Sequence, residues 1–434
     1  MRAVILAVVL GGCRITGTFE CATAEQCIGP GGTAGACISG SCAYLDEDCT
    51  AGYRFAESAA EEVAGVCLET VPPVGCAEWM PRHFTPCDLP SPLGPIVITS
   101  ARTYDTDLGE FDVPIAHTST IVAQTTGGMV RVISVSSLTV DTSILLRVTG
   151  SLPLVIAAWD SIQILGRIEA NSVRGAEIGA GANPTGCLPA MPGGAAIERG
   201  AGGGGGGFQG AGGDGGLGGN PMVAMGGKGG LAAPMATLAA SVRGGCPGAA
   251  SGAAGPGAVA PATATSVGTP GAGGGALQLT ARRSIAITGR LNVGGAGGHG
   301  APMASSAGGG GGGAGGYLGL EAPAISVSGG LAANGGGGGG GGAVTTSGGD
   351  GNDAGFGTTA ARGGIGGGPA GGCSGEGSTG AAGAALAGGD ANNNARVCGG
   401  GGGGGGAGVI AVRSAAYVAA QAASISPPVV IDPP

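Results

Sequence analysis

The chain has 434 residues, of which 104 are glycine, 10% are charged and 3% are aromatic, and its net charge is −9. That glycine content is several times the ordinary ~7%. The negative balance excludes a nucleic-acid footprint, the unbroken glycine runs exclude the strict Gly-X-Y of collagen, and an apolar, weakly charged chain is not disordered by charge repulsion.

At the N-terminus Arg2 precedes an apolar stretch of eight residues, Ala3 to Leu10. A bilayer span needs ~20, so residues 1–12 read as a signal peptide. Leu10-Gly11-Gly12-Cys13 resembles the bacterial lipoprotein box. The resemblance implies cleavage before Cys13, lipid on its thiol and new amine, and membrane lipid as a partner. A plain signal peptide with a chance cysteine is the alternative. Arg14 stands where an aspartate would retain a lipoprotein in the inner membrane, which favours the outer membrane. Setting Cys13 aside leaves an even twelve of the 13 cysteines, which in an exported chain points to disulfides. Their spacings do not match zinc fingers.

Residues 13–90 form a small disulfide-rich module holding Cys21, Cys27, Cys37, Cys42, Cys49, Cys67, Cys76 and Cys87. The first six form one unit whose internal pairing stays open, and Cys76–Cys87 closes a separate loop. Alanine and glutamate in Tyr53 to Val66 predict a short helix.

Residues 91–423 carry degenerate copies of one strand pattern. Leu154, Ile156, Ile162, Ile164 and Ile168 align with Leu277, Leu279, Ile285, Ile287 and Leu291, and with Leu318, Leu320, Ile325, Val327 and Leu331. A further copy is Val130, Val132, Leu138, Val140 and Ile144, with weaker end copies at Ile96, Ile98, Tyr104 and at Ile410, Val412, Val418. The period of two within each copy predicts very short strands. The expected fold class is all-β, a parallel β-helix or solenoid of about five rungs, with Val130, Leu154, Leu277, Leu318 and Ile410 in one ladder.

Glycine-rich insertions at 173–275, 294–316 and 335–408 fall after the third strand of a copy. Cys187 and Cys246 lie in the first and Cys373 and Cys398 in the last, so the expected pairs are Cys187–Cys246 and Cys373–Cys398. The runs read equally well as flexible loops or as threefold polyglycine helices packed backbone to backbone. Residues 424–434 read as a proline-rich tail.

Catalytic and metal motifs are weak. Gly298-His299-Gly300 resembles one element of β-helical polygalacturonases without their partner carboxylate motifs. Gly348 to Asp353 resembles the start of a calcium nonapeptide but lacks its apolar residue in place and its tandem copies. Trp159, Phe208, Tyr317 and Phe356 are candidate sugar-stacking rings, and Asp141, Asp160, Glu169 and Glu321 are the carboxylates available to a hydrolase. No cofactor, metal or catalytic residue is expected.

The lipoprotein box, the stretch Phe19-Glu20-Cys21 to Cys67 with Cys49-Thr50-Ala51-Gly52-Tyr53-Arg54, and the strand–glycine copies together resemble a group of glycine-rich, cysteine-rich exported lipoproteins of myxobacteria and related soil bacteria. That likeness implies envelope location and architecture, and no activity. The expectation is a non-enzymatic outer-membrane lipoprotein at the cell surface, structural or adhesive, with a surface polysaccharide or envelope protein as partner. The alternative is a β-helical polysaccharide-binding or polysaccharide-degrading protein.

Overall fold

The computed structural model describes the chain except residues 1–17, 22–25, 30–31, 33–34, 39, 47, 50–52, 61, 69–74, 125–127, 197, 219–223, 235–239, 255–265, 369–374, 393–397 and 433–434. It is nearly all β and divides into two compact units, Met1–Met80 with Thr85–Ser91, and Pro81–Phe84 with Pro92–Pro434.

The N-terminal unit is built on a three-stranded antiparallel sheet of Ala36–Ile38, Ser41–Leu45 and Tyr53–Phe55. Disulfides join Cys21 to Cys37, Cys27 to Cys42, Cys49 to Cys67 and Cys76 to Cys87. The helix expected over Tyr53 to Val66 does not form. Tyr53–Phe55 is a strand, and turns follow. Cys49–Cys67 and the bridge between Arg54 and Cys67 hold this segment against the sheet. A short alanine–glutamate stretch has too little helical stability to resist such constraints.

The C-terminal unit contains three parallel sheets. Sheet A holds Met129–Val135, Leu154–Ala158, Ala276–Ala281, Tyr317–Glu321, Val409–Arg413 and Val430–Asp432. Sheet B holds Ile96–Ile98, Leu138–Val140, Ser161–Ile164, Ser284–Ile287, Ala324–Val327 and Ala416–Ala419. Sheet C holds Arg102–Asp105, Leu145–Thr149, Arg167–Glu169, Arg290–Asn292, Gly330–Ala332 and Ser424–Ser426. The chain runs A, B, C and returns to A, so each strand pairs with its counterpart from the next circuit. Antiparallel strands close the first edges, Thr118–Ala123 on sheet A and Glu110–Phe111 on sheet C.

The core between the sheets is a set of stacked apolar ladders, such as Leu154, Leu277, Leu318 and Ile410. The copy from Val130 is in register at Leu138 and Val140, opposite Ile162 and Ile164, and out of phase elsewhere. Arg131, not Val130, pairs with Leu154, Leu146 replaces Ile144 opposite Ile168, and at the far end Tyr417, not Val418, pairs with Ile325. Both faces of Met129–Val135 carry buried aliphatic residues, Val130 and Val132 on one and Ile133 and Val135 on the other, so alternation alone does not choose the phase. Ser424–Ser426 and Val430–Asp432 are strands, so the segment read as a tail belongs to the sheets. Pro427 and Pro428 lie in the connection between the two strands, and Pro433 and Pro434 lie outside the described residues.

The described glycine runs of the insertions are packed, not loose. Residues 308–316 form an extended helix in which every third N–H meets the same neighbour. Gly309, Gly312 and Gly315 donate to Gly400, Gly403 and Gly406; Gly310, Gly313 and Gly316 to His299, Ala296 and Val293; Gly308, Gly311 and Ala314 to Gly252, Ala249 and Cys246, all at 2.8–3.2 Å. Its carbonyls accept from three further segments, around Gly203, Gly271 and Gly339. This is the threefold polyglycine II geometry, three residues per turn, with six neighbours around one helix. The runs at 335–342 and 399–406 are likewise buried and surrounded.

The reason for glycine is steric. A Cβ on Gly311 would lie 1.9 Å from the carbonyl oxygen of Gly204, and one on Gly402 would lie 2.0 Å from that of Gly310. At the lattice surface every third position is released, so Arg362 and Ile365, or Lys228 and Leu231, point outward from otherwise glycine-rich segments. Cys187 and Cys246 are bonded to each other within this region. Cys398 is also disulfide-bonded and buried, while Cys373, its expected partner, lies outside the described residues.

Candidate functional site

Three places in the C-terminal unit gather polar chemistry. The first lies on the outer face of sheet A. Glu321 accepts from Arg413 Nη1 at 2.5 Å, from the backbone N–H of Arg82 at 3.1 Å and from Gln278 Nε2 at 3.2 Å. His83 Nδ1 lies 2.7 Å from Gln278 Oε1, and its ring meets Tyr317 edge-on. Burial first, and then the charge of Glu321, push the Tyr317 phenol far above its ordinary range. The space left between these groups is ≈ 20 Å³, room for about one water. The cluster fastens Pro81–Phe84 to the sheet and leaves little room for a substrate.

The second place is where the sequence offered motif fragments. His299 Nδ1 lies 3.6 Å from Asp350, which also pairs with Arg174 at 3.3 Å and accepts the N–H of Gly300. Asp353 accepts the N–H groups of Gly297 and Arg174. These carboxylates tie glycine segments together and are committed to backbone donors. The four carboxylates considered for hydrolysis are dispersed. Asp160 pairs with Arg283 between sheets A and B, Glu169 with Arg167 in sheet C, and Glu321 with Arg413 in sheet A; Asp141 follows the strand Leu138–Val140. In the N-terminal unit the sulfurs of Cys21, Cys27 and Cys42 lie within 4.8 Å of one another, but all three are in disulfides.

The third place is the corner between sheets B and C. Three successive circuits turn there on a glycine, at Gly166, Gly289 and Gly329. A Cβ on Gly289 would lie 1.8 Å from the Gly166 oxygen, and one on Gly329 would lie 1.8 Å from the Gly289 oxygen. The corner is therefore bare backbone, and side chains on either side stand above it as walls. Two recesses of ≈ 410 Å³ each, sharing Thr288 and Arg290, run along it. Arg167 and Arg290 follow their glycines and are register partners on adjacent strands. Thr142, Ser143, Thr288 and Ser328 are exposed hydroxyls along the recesses. Ser143 adopts a left-handed φ of 66°, a conformation few non-glycine residues hold. Phe356 lies 5.3 Å from the Arg290 guanidinium, ring centroid to carbon.

Of the four candidate stacking rings, Phe208 and Tyr317 are buried and Trp159 donates to Ser134 Oγ, which leaves Phe356 lining an open recess. The two arginines were not singled out by motif. Their signal is the repeated Gly-Arg, Gly166-Arg167 and Gly289-Arg290, at one position of the aligned copies. Cys13 lies outside the described residues, and no described helix is long and apolar enough to cross a membrane. No family model matches the chain, and no curated protein or solved structure resembles it significantly.

Proposed function

We propose that this chain is an exported, non-catalytic envelope protein, structural or adhesive, in which a β-solenoid of about five rungs carries a polyglycine lattice on one corner. The solenoid reading is supported by the repeated A, B, C circuits and by ladders that keep register from Leu154 to Ile410. The observation that carries the functional reading is the lattice itself. Its glycine runs pack backbone against backbone, which suits a broad rigid body rather than a reactive centre. Glycoside hydrolases need two carboxylates facing across a bond, ~5–9.5 Å apart, whereas here the candidates sit on separate elements. Disulfides in both units fit an oxidising compartment. In this reading Cys13 supplies the lipid anchor at the outer membrane and the lattice faces the outside.

Protease treatment of intact cells tests this, with antibody detection of the lattice before and after outer-membrane lysis. Degradation on intact cells is the expected result. Protection until lysis would place the protein in the periplasm and end the adhesive reading. The alternative, polysaccharide binding, draws support from the arginine-walled corner.

A further inference from the structure

The geometry points to the corner between sheets B and C as a binding trough for an acidic polysaccharide, with Arg290 as its central contact for a uronic-acid carboxylate. Three features converge there. First, the floor is a stacked column of glycines that no side chain can occupy, so the trough is built into the repeat. Second, Arg167 and Arg290 are direct register partners in parallel strands, about 4.8 Å apart along the stack. Like charges so placed repel unless something negative lies between them. Glu169 lies 3.5 Å from Arg167, but among the described residues no carboxylate pairs with Arg290. Third, the Arg290 guanidinium lies over the Phe356 ring, 5.3 Å from its centroid, which places an aromatic surface beside it.

This combination suits a carboxylated sugar chain. A guanidinium fork matches a carboxylate in two parallel hydrogen bonds. The hydroxyls of Thr288, Ser328 and Ser424 fit sugar hydroxyls, and the Phe356 ring can take a sugar face. The two recesses abut at Arg290, so the trough is elongated along the stack, as a polymer requires and a small anion does not. The chain as a whole is acidic, so its overall charge disfavours a polyanion and binding needs a local basic site.

The proposal deepens the surface reading, and its test is independent of it, because it is read on purified protein and not on cells. The full chain is run in native gels containing polygalacturonate, heparin, polyphosphate or neutral dextran. Polygalacturonate retards the wild-type chain, and Arg290→Ala weakens that retardation about tenfold. Arg290→Lys falls between them, because an ammonium keeps the charge and loses the fork. Arg167→Ala has a smaller effect, since Glu169 already engages that side chain. Arg290 is exposed, so thermal unfolding of its variants stays at the wild-type midpoint and separates lost binding from lost fold. Equal retardation of Arg290→Ala and wild type overturns the proposal. So does retention by heparin or polyphosphate without polygalacturonate, or by dextran as strongly as by polygalacturonate.

Discussion

The sheets and the glycine lattice are two solutions to the same problem within one unit. Between the sheets, stacked side chains such as Leu277, Leu318 and Ile410 fill the interior, and the backbone stays at strand spacing. In the lattice, backbones approach until no side chain fits, and the interior is held by N–H···O=C bonds running to neighbours on all sides. One region is stabilised by what its side chains bury, and the other by what its residues lack. Their weaknesses differ accordingly. Glycine loses more conformational freedom on ordering than any other residue. That explains why the unit's disulfide-bonded cysteines lie in the insertions and none in the strands of the sheets.

The largest expected effect is therefore loss of a staple. Cys187–Cys246 spans 59 residues of sequence, and the chain-entropy model gives about 4 kcal/mol for a loop of that size. Cys246→Ser should strip hydrogen-exchange protection from glycine amides such as Gly311 and Gly313 while the amides of Ser284–Ile287 keep theirs. Equal loss in both regions would mean that the two are one cooperative body.

A paired substitution compares the interiors directly. Gly311→Ala adds one methyl at 1.9 Å from a backbone oxygen that cannot move without parting two helices. Leu318→Ala removes three carbons from a fully buried side chain. Each should cost about 3 kcal/mol, the first as overpacking and the second as a cavity. Denaturant midpoints measure both. A tolerated Gly311→Ala would show that the lattice is looser than its hydrogen bonds imply.

The smallest effect concerns the lattice edge. Burial pushes the Asp214 carboxyl up, but the hydrogen bond from Lys228 Nζ at 2.5 Å, that from the Gly229 N–H, and the Lys228 charge together hold it below the usual carboxylate range. A depressed carboxyl contributes stability above its unfolded pKa and loses it as pH falls through the folded one. Asp214→Asn should thus lower the thermal midpoint slightly at neutral pH, with the difference from wild type vanishing under acid. A difference that persists in acid would assign the effect to the hydrogen bond to Gly229 instead of to charge.

The sequence carries much of this unevenly. Strand positions in the later copies were legible because glycine turns and alternating aliphatics agree, as in Ile285, Ile287 and Leu291. The phase of the strand Met129–Val135 was not, because Val130 and Val132 are as apolar and as buried as Ile133 and Val135. The state of the glycine runs was undecided by composition, since flexible and packed polyglycine look alike in that respect. Periodicity separates them. Around Arg362 and Ile365 exposure recurs every three residues, and a loose loop has no reason to show that. The trough arginines were visible only as a repeated dipeptide, whose meaning depends on the register that stacks them.

The threefold phase of the lattice also restricts how such a chain changes in evolution. Inserting one glycine into the run 399–406 would turn every later N–H by about 120° and misdirect it toward the wrong neighbour. Inserting three would advance the run by one turn and preserve each partnership. Runs of repeated glycine codons lengthen and shorten readily by slippage. Length variants that survive should then cluster at multiples of three amino acids, a reading frame imposed by hydrogen bonding on top of the genetic one.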